Sequence, residues 1–374
     1  MSASRSEPSD QAPTGPVVRP GVLDLAPYVG GESKAPGVNR IIKLSSNEGA
    51  LGPSPQALAA AGAGLAAMHR YPDGGAEALR AALAAEFGLD AARIVCGSGS
   101  DDLILQTVRA YAGPGDEVLY SEHGFLIYAI SALSVGATPV SAPETGYTAS
   151  VDALLAKVTE RTRIVFLANP NNPTGTYLAA SEVRRLHAGL PPHVVLAIDS
   201  AYAEFVETED YEPGIELVQS AENVVMLRTF SKIYALGGMR VGWAYGSAGI
   251  IDVLNRLRMP FNVSGVGQAA AIAALADHEH TERSRRHNAT WRDWTADALR
   301  GLGLDVTPSV CNFLLVHFRD EQEADGAFEY LKQRGILARK VGAYRLPQCL
   351  RISIGLEDEM RLAIAALAKF LGTR

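Results

Sequence analysis

The strongest constraint on the fold lies between residues 93 and 227, where short apolar runs alternate with segments of helical pattern. Residues 93–96, 117–120, 138–140, 162–167, 194–198 and 224–227 read as strands. Residues 101–111, 125–135, 151–158 and 181–188 read as the helices between them. The runs TRIVFL and VVLAI have the character of strands buried inside a sheet. Strands joined by helices imply an α/β domain, a three-layer α/β/α sandwich on a mostly parallel sheet. In such sheets ligands lie beyond the C-terminal ends of the strands. Chemistry is therefore expected in the residues that follow each apolar run.

After about residue 260 the pattern changes. An Ala-rich helix over 267–276 leads to a charged helix over 283–300, a strand at 313–318, a helix over 325–334, a strand at 350–354 and a terminal helix over 358–371. This reads as a smaller α+β domain. A chain of 374 residues is too long for one ordinary core, and the division expected is an arm over 1–45, a large domain over 46–262 and a small domain over 263–374. The first twenty or so residues are rich in Ser, Pro, Asp and Gly and are expected to be disordered. They lack the apolar core of a secretory signal, and no run of 18 apolar residues occurs anywhere. A cytoplasmic protein without a membrane span is expected. The net charge of −7 gives no basic face for nucleic acid; the cluster Arg283, Arg285 and Arg286 sits among acidic neighbours and reads as a solvated helix face. Cys96, Cys311 and Cys349 are far apart with apolar neighbours and read as buried free thiols. The eight histidines lack metal-ligand spacing, so no metal is assigned.

Four segments carry chemistry. In TFSKIYALGGMRVG, Ser231 and Lys232 fall at a strand exit, Arg240 follows eight residues later, and Gly237, Gly238 and Gly242 permit close backbone approach. Together they offer an amine nucleophile beside a phosphate clamp. ANPNNPTGT follows TRIVFL and reads either as a simple turn or as a site loop. In AIDSAYAEF, Asp199 leaves a strand with Tyr202 three residues on. Asp199 reads equally as the partner of a protonated pyridine nitrogen and as a helix N-cap. In CGSGSDDLI, a Gly/Ser turn opens a helix whose first amides, those of Ser100, Asp101 and Asp102, suit a phosphate; the acidic pair also reads as capping residues.

These segments, in this order, resemble the fold-type I pyridoxal-phosphate (PLP) aminotransferases, and most closely the histidinol-phosphate aminotransferase family. Further matching pieces run nearly end to end: LAPY at 25–28, KLSSNE at 43–48, LGPSP at 51–55, RYPDG at 70–74, EHGFLIY at 122–128, NFLLV at 312–316, GILARK at 335–340 and LRISIG at 350–355. The resemblance implies that Lys232 is the Schiff-base lysine and the proton carrier. It implies that Asp199 holds the pyridinium nitrogen, that Tyr202 and Asn172 hold the ring's 3′ oxygen, and that Phe125 stacks on the ring. It assigns the phosphate to Ser231, Arg240 and the amides of Ser100, Asp101 and Asp102. Tyr71 is implied to reach the cofactor of a second subunit, making a homodimer. Arg351, Arg339 and Tyr28 are implied to contact the substrate's anionic groups, with Asn312 also facing the site. Amino acids and 2-oxo acids would be the substrates, with L-histidinol phosphate and 2-oxoglutarate foremost. An aromatic amino acid aminotransferase and a phospho-amino-acid decarboxylase are the rival readings. A PLP-binding transcriptional regulator would need a DNA-binding module, for which residues 1–45 are too short and too rich in Pro and Gly. One departure stands out: where the family reads Asn-Glu-Asn-Pro, this chain has Asn47-Glu48-Gly49-Ala50. Loss of the proline is expected to free that loop and bear on substrate choice.

Overall fold

The structure, a computed structural model, describes residues 40–372 and, before them, 16, 18–19, 21–23, 25, 27, 30–35 and 37–38. Tyr28 and most of the segment expected to be disordered lie outside the described residues.

Seven strands form the main sheet, in the spatial order Ile94–Gly97, Gly242–Gly246, Val224–Thr229, Val195–Asp199, Thr162–Ala168, Glu117–Ser121, Thr138–Ala142. All neighbouring pairs are parallel except the two made by Gly242–Gly246. The α/β sandwich expected from the alternation is present. Each face of the sheet carries its own apolar core, one including Leu167, Leu196, Met226 and Trp243, the other Val118, Phe166, Ala197 and Leu227. Opposite-face burial of successive residues explains why the strands read as unbroken apolar runs. The strand Gly242–Gly246 was not legible as one, because it is short and glycine-bounded inside a segment that reads as a loop.

Local sequence sets the helix starts. Ser54 accepts the N–H of Ala57 and Pro55 occupies the first turn, so the first helix runs Pro55–Gly64. Asp277 caps His278–Gly301, which begins five residues before the expected start. A second sheet, antiparallel, is ordered Asp305–Val306, Phe313–His317, Leu346–Ser353, Arg339–Val341. The helices His278–Gly301, Glu321–Lys332 and Glu357–Gly372 share its core, with Leu299, Leu314, Leu331 and Met360 fully covered. Ile42–Lys43 pairs with Ile336–Leu337, which ties the entry segment to this second unit. Among the described residues no helix is long and apolar enough to cross a membrane.

One ion pair is buried in the main core. Arg228 Nη2 donates to Glu204 Oε1 at 2.7 Å, with side-chain exposures of 4% and 7%. The guanidinium lies over the rings of Phe87 and Trp243, at 5.1 and 5.5 Å. Glu204 stands just after Tyr202, and Arg228 just before Lys232, so the pair joins two strand exits. Removing one partner leaves an uncompensated buried charge, so Glu204→Gln should cost about 3–5 kcal/mol in urea unfolding. The joint change Glu204→Leu with Arg228→Met should recover most of that loss.

Candidate active site

The parallel register brings Ala168, Asp199 and Leu227 level across three adjacent strands, so their exits open into one space. A cavity of about 340 Å³ lies there. It is lined by Ser100, Asp101, Phe125, Asn172, Asp199, Tyr202, Ser231, Lys232 and Arg240 from the first unit, and by Arg339 and Arg351 from the second sheet. Residues more than 250 positions apart thus share one site.

Lys232 lines the cavity with its Nζ 5.5 Å from the centre of the Tyr202 ring. Burial, and next the Arg351 guanidinium, pull its ammonium down to about 8. Asp199 is 6% exposed, and burial pushes its carboxyl up to about 6. Its Oδ2 accepts from the Tyr128 hydroxyl at 2.8 Å, while Oδ1 has no hydrogen-bond partner. Asp199 caps no helix: the 3₁₀ turn that follows, Ala203–Phe205, has no side-chain cap. Of its two sequence readings the N-cap is therefore excluded.

At one end of the cavity, Arg240 Nη1 donates to Gly237 O at 3.0 Å and to Ser231 Oγ at 3.4 Å, and Nη2 pairs with Asp101 at 3.1 Å. The helix Ser100–Tyr111 starts here, its first amides lacking intrahelical partners. Of the glycines singled out, Gly242 is the one under steric demand: a Cβ there would stand 2.5 Å from Gly99 C and Ser100 N. Gly238 has nothing within 4 Å and Gly237 only an ordinary contact. The sequence reading missed Gly99, at φ +89, where a Cβ would collide with Arg240. Asp102 does not line the cavity. Its carboxylate turns back to the Ser98 N–H at 2.9 Å and to Gln106 Nε2 at 2.8 Å.

At the other end, Arg351 Nη1 donates to Asn172 Oδ1 at 2.5 Å and Nη2 to Ser45 O at 2.9 Å. Arg339 stands opposite it across the strand pair. Asn312, expected to face the site, lies behind it. Its Nδ2 donates to the carbonyls of Asn47 and Glu48, at 3.0 and 3.3 Å, and so supports the loop. The departure from the family pattern places a glycine where the loop meets the turn that carries Lys232. A Cβ on Gly49 would sit 2.8 Å from Ala235 Cβ and 3.1 Å from Lys232 O, so the glycine lets the loop press onto the lysine's own turn. Tyr71 lies outside the cavity of its own chain, 82% exposed and stacked on Phe261 at 4.6 Å. Tyr128 and Asn47 were missed. The motif EHGFLIY held the only signal for Tyr128, an aromatic one residue beyond Ile127.

A Lys at one strand exit, a buried carboxylate at the next and an arginine at each end of the cavity define a class of enzyme. The family model for aminotransferase class I and II matches residues 39–367. Histidinol-phosphate aminotransferase from Paramagnetospirillum magneticum is 58% identical over 361 residues, covering 96% of this chain and 99% of that one. Its counterpart from Rhodospirillum centenum is 57% identical over 359 residues, with coverage of 96% and 99%. The solved histidinol-phosphate aminotransferase of Sinorhizobium meliloti, in complex with pyridoxal-5′-phosphate, superposes with a TM-score of 0.89 at 32% identity, covering 94% and 97%. The chain belongs to the histidinol-phosphate aminotransferase family of class I and II aminotransferases.

A lysine held near 8 is far more nucleophilic at neutral pH than a surface lysine near 10.4. In cofactor-free protein, reductive alkylation of Lys232 by pyridoxal and borohydride should rise with pH through a midpoint near 8, because the neutral amine is the reactive form. A midpoint at the ordinary surface value would contradict the burial of this amine.

Proposed function

We propose that this chain transfers an amino group from L-histidinol phosphate to 2-oxoglutarate, giving imidazole-acetol phosphate and glutamate, a step of histidine biosynthesis. It is a pyridoxal-phosphate-dependent aminotransferase. One observation carries the reading: Lys232, Asp199 with its unpaired Oδ1, and the Arg240 cradle share a cavity with Arg339 and Arg351.

The residues fit the cofactor. Asp199 Oδ1 is a buried acceptor with no partner, suited to a protonated ring nitrogen. Tyr202 and Asn172 would hold the ring's 3′ oxygen and Phe125 one ring face. Ser231, Arg240 and the amides of Ser100, Asp101 and Asp102 would hold its phosphate. When bound, the cofactor supplies an aldehyde carbon for Lys232 and a pyridinium ring that accepts electron density from the substrate Cα. Lys232 would be the group that carries the proton between the substrate Cα and the cofactor carbon. Arg351 grips the substrate's carboxylate or phosphate, with Arg339 and Tyr28 completing the phosphate contacts.

The same reading extends to organisation. The chain would divide into a large domain over 46–262, a small domain over 263–374 and an arm over 1–45. Tyr71 would act in the site of a second copy. Support comes from the exposed apolar side chains Leu65, Met68, Met259 and Phe261 on neighbouring segments. The working location would be the cytoplasm. Sedimentation should give the mass of two chains. Mixed dimers of Lys232→Ala and Tyr71→Ala should exceed the activity of either homodimer, since one site in each is intact. A fully active single chain would remove this role of Tyr71.

Substrate choice is tested by kcat/KM for histidinol phosphate, phenylalanine and tyrosine side by side. Charge-assisted hydrogen bonds are each worth about 1.5–3 kcal/mol, so Arg339→Ala should lose roughly tenfold to a hundredfold on histidinol phosphate. It should lose far less on phenylalanine, whereas Arg351→Ala should lose on all three. A wild type that prefers phenylalanine or tyrosine would make this an aromatic amino acid aminotransferase.

A further inference from the structure

Asn47 lines the cavity, is 1% exposed, and adopts φ +56. Asparagine tolerates that left-handed backbone better than most residues with a Cβ. Each of its polar groups is engaged. Its N–H donates to Ser353 Oγ at 2.8 Å, and its carbonyl accepts from Asn312 Nδ2 at 3.0 Å. Its Oδ1 accepts from Ser353 Oγ at 3.0 Å, and its Nδ2 donates to Tyr202 Oη at 2.8 Å. Ser353 fixes the sense of that amide. The serine oxygen already accepts the Asn47 N–H, so its own hydrogen goes to Asn47 Oδ1. Turning the amide over would deprive that hydrogen of this acceptor in a side chain 2% exposed.

A phenol oxygen that accepts from one side presents its hydrogen on another, and the open side of Tyr202 is the cavity. We propose that Asn47, oriented by Ser353, is a positioning residue that makes Tyr202 a hydrogen-bond donor toward the reacting end of the cavity. The proposal rests on the reading that Tyr202 faces the cofactor's 3′ oxygen. A donor there stabilises negative charge on that oxygen, so the nitrogen joining Lys232 to the cofactor holds its proton less tightly. Without the Asn47 amide, the Tyr202 hydrogen is free to turn elsewhere, and the nitrogen holds its proton more tightly. The wiring crosses the fold: Ser353 ends the strand Leu346–Ser353 of the second sheet, whereas Tyr202 follows Val195–Asp199 of the first.

The test is a pH titration of the visible absorbance of cofactor-loaded enzyme, which reports the protonation of that nitrogen. Asn47→Gly keeps the backbone conformation accessible and adds no charge. Lys232 also faces Arg351, Asp101, Glu48 and Arg240, and Tyr202 faces Arg351, Cys311 and Tyr344. All of these remain in every variant, so they do not change the comparison. The midpoint should rise by about half to one pH unit in Asn47→Gly, and by about as much in Tyr202→Phe. Asn47→Gly should add nothing in the Tyr202→Phe background. Ser353→Ala, which keeps the amide but releases its orientation, should shift the midpoint in the same direction and serves if Asn47→Gly folds poorly. An unchanged midpoint in Tyr202→Phe would overturn the placement of Tyr202 against the cofactor. A shift in Tyr202→Phe with none in Asn47→Gly or Ser353→Ala would overturn the role of Asn47 alone. An equal Asn47→Gly shift with and without the Tyr202 hydroxyl would also overturn it, because the effect would not pass through that group.

Discussion

Burial of an amine and a carboxylate in one cavity is the constraint on which the rest of the structure depends. Away from water, Lys232 is drawn down to about 8 and Asp199 up to about 6, each by desolvation before any other cause. Each group is thereby brought close to the neutral range, where it exchanges charge or a proton readily. The strands that lead to them, Val195–Asp199 and Val224–Thr229, lie inside the sheet and are buried at every position.

The sheet supplies one half of the site and the second unit the other. Parallel strands place their ends side by side, so Asp199 and the Lys232 turn become neighbours without any sequence proximity. The strand Leu346–Ser353 then reaches in from the second sheet with Arg351 and Ser353 on alternate positions, hence on one face. Arg351 takes hold of Asn172, and Ser353 takes hold of Asn47, which in turn touches Tyr202. The loop 45–49 is therefore a seam between the two units. Gly49 suits that seam because it lets the loop lie against the Lys232 carbonyl.

Two glycines show how the anion end is built. Gly99 and Gly242 stand where the antiparallel strand Gly242–Gly246 meets the turn before the helix Ser100–Tyr111, and no side chain fits at either. Arg240, at φ +54, occupies the space left beside Gly99, bonded to Gly237 O and paired with Asp101. Backbone crowding is the reason for glycine at 242, whereas at 99 it is the φ of +89 together with the Arg240 side chain.

The sequence by itself determined the α/β alternation, the strand exits and the identity of Lys232, Asp199, Asn172, Ser231 and Arg240 as site candidates. Apolar runs and helical periods are local signals, and a strand exit is a local position. It also led from its motifs to the family that the relatives establish. Tertiary structure alone decided what depends on contacts between distant segments. Asp199 is a partner of Tyr128 and caps nothing; Asn312 supports a loop from behind; Asp102 turns into its own helix start. Which glycine is crowded, and which asparagine orients Tyr202, follows from distances across about 150 to 300 residues that no local pattern encodes. The short strand Gly242–Gly246 belongs with these, because it is held by pairing on both sides and not by its own composition.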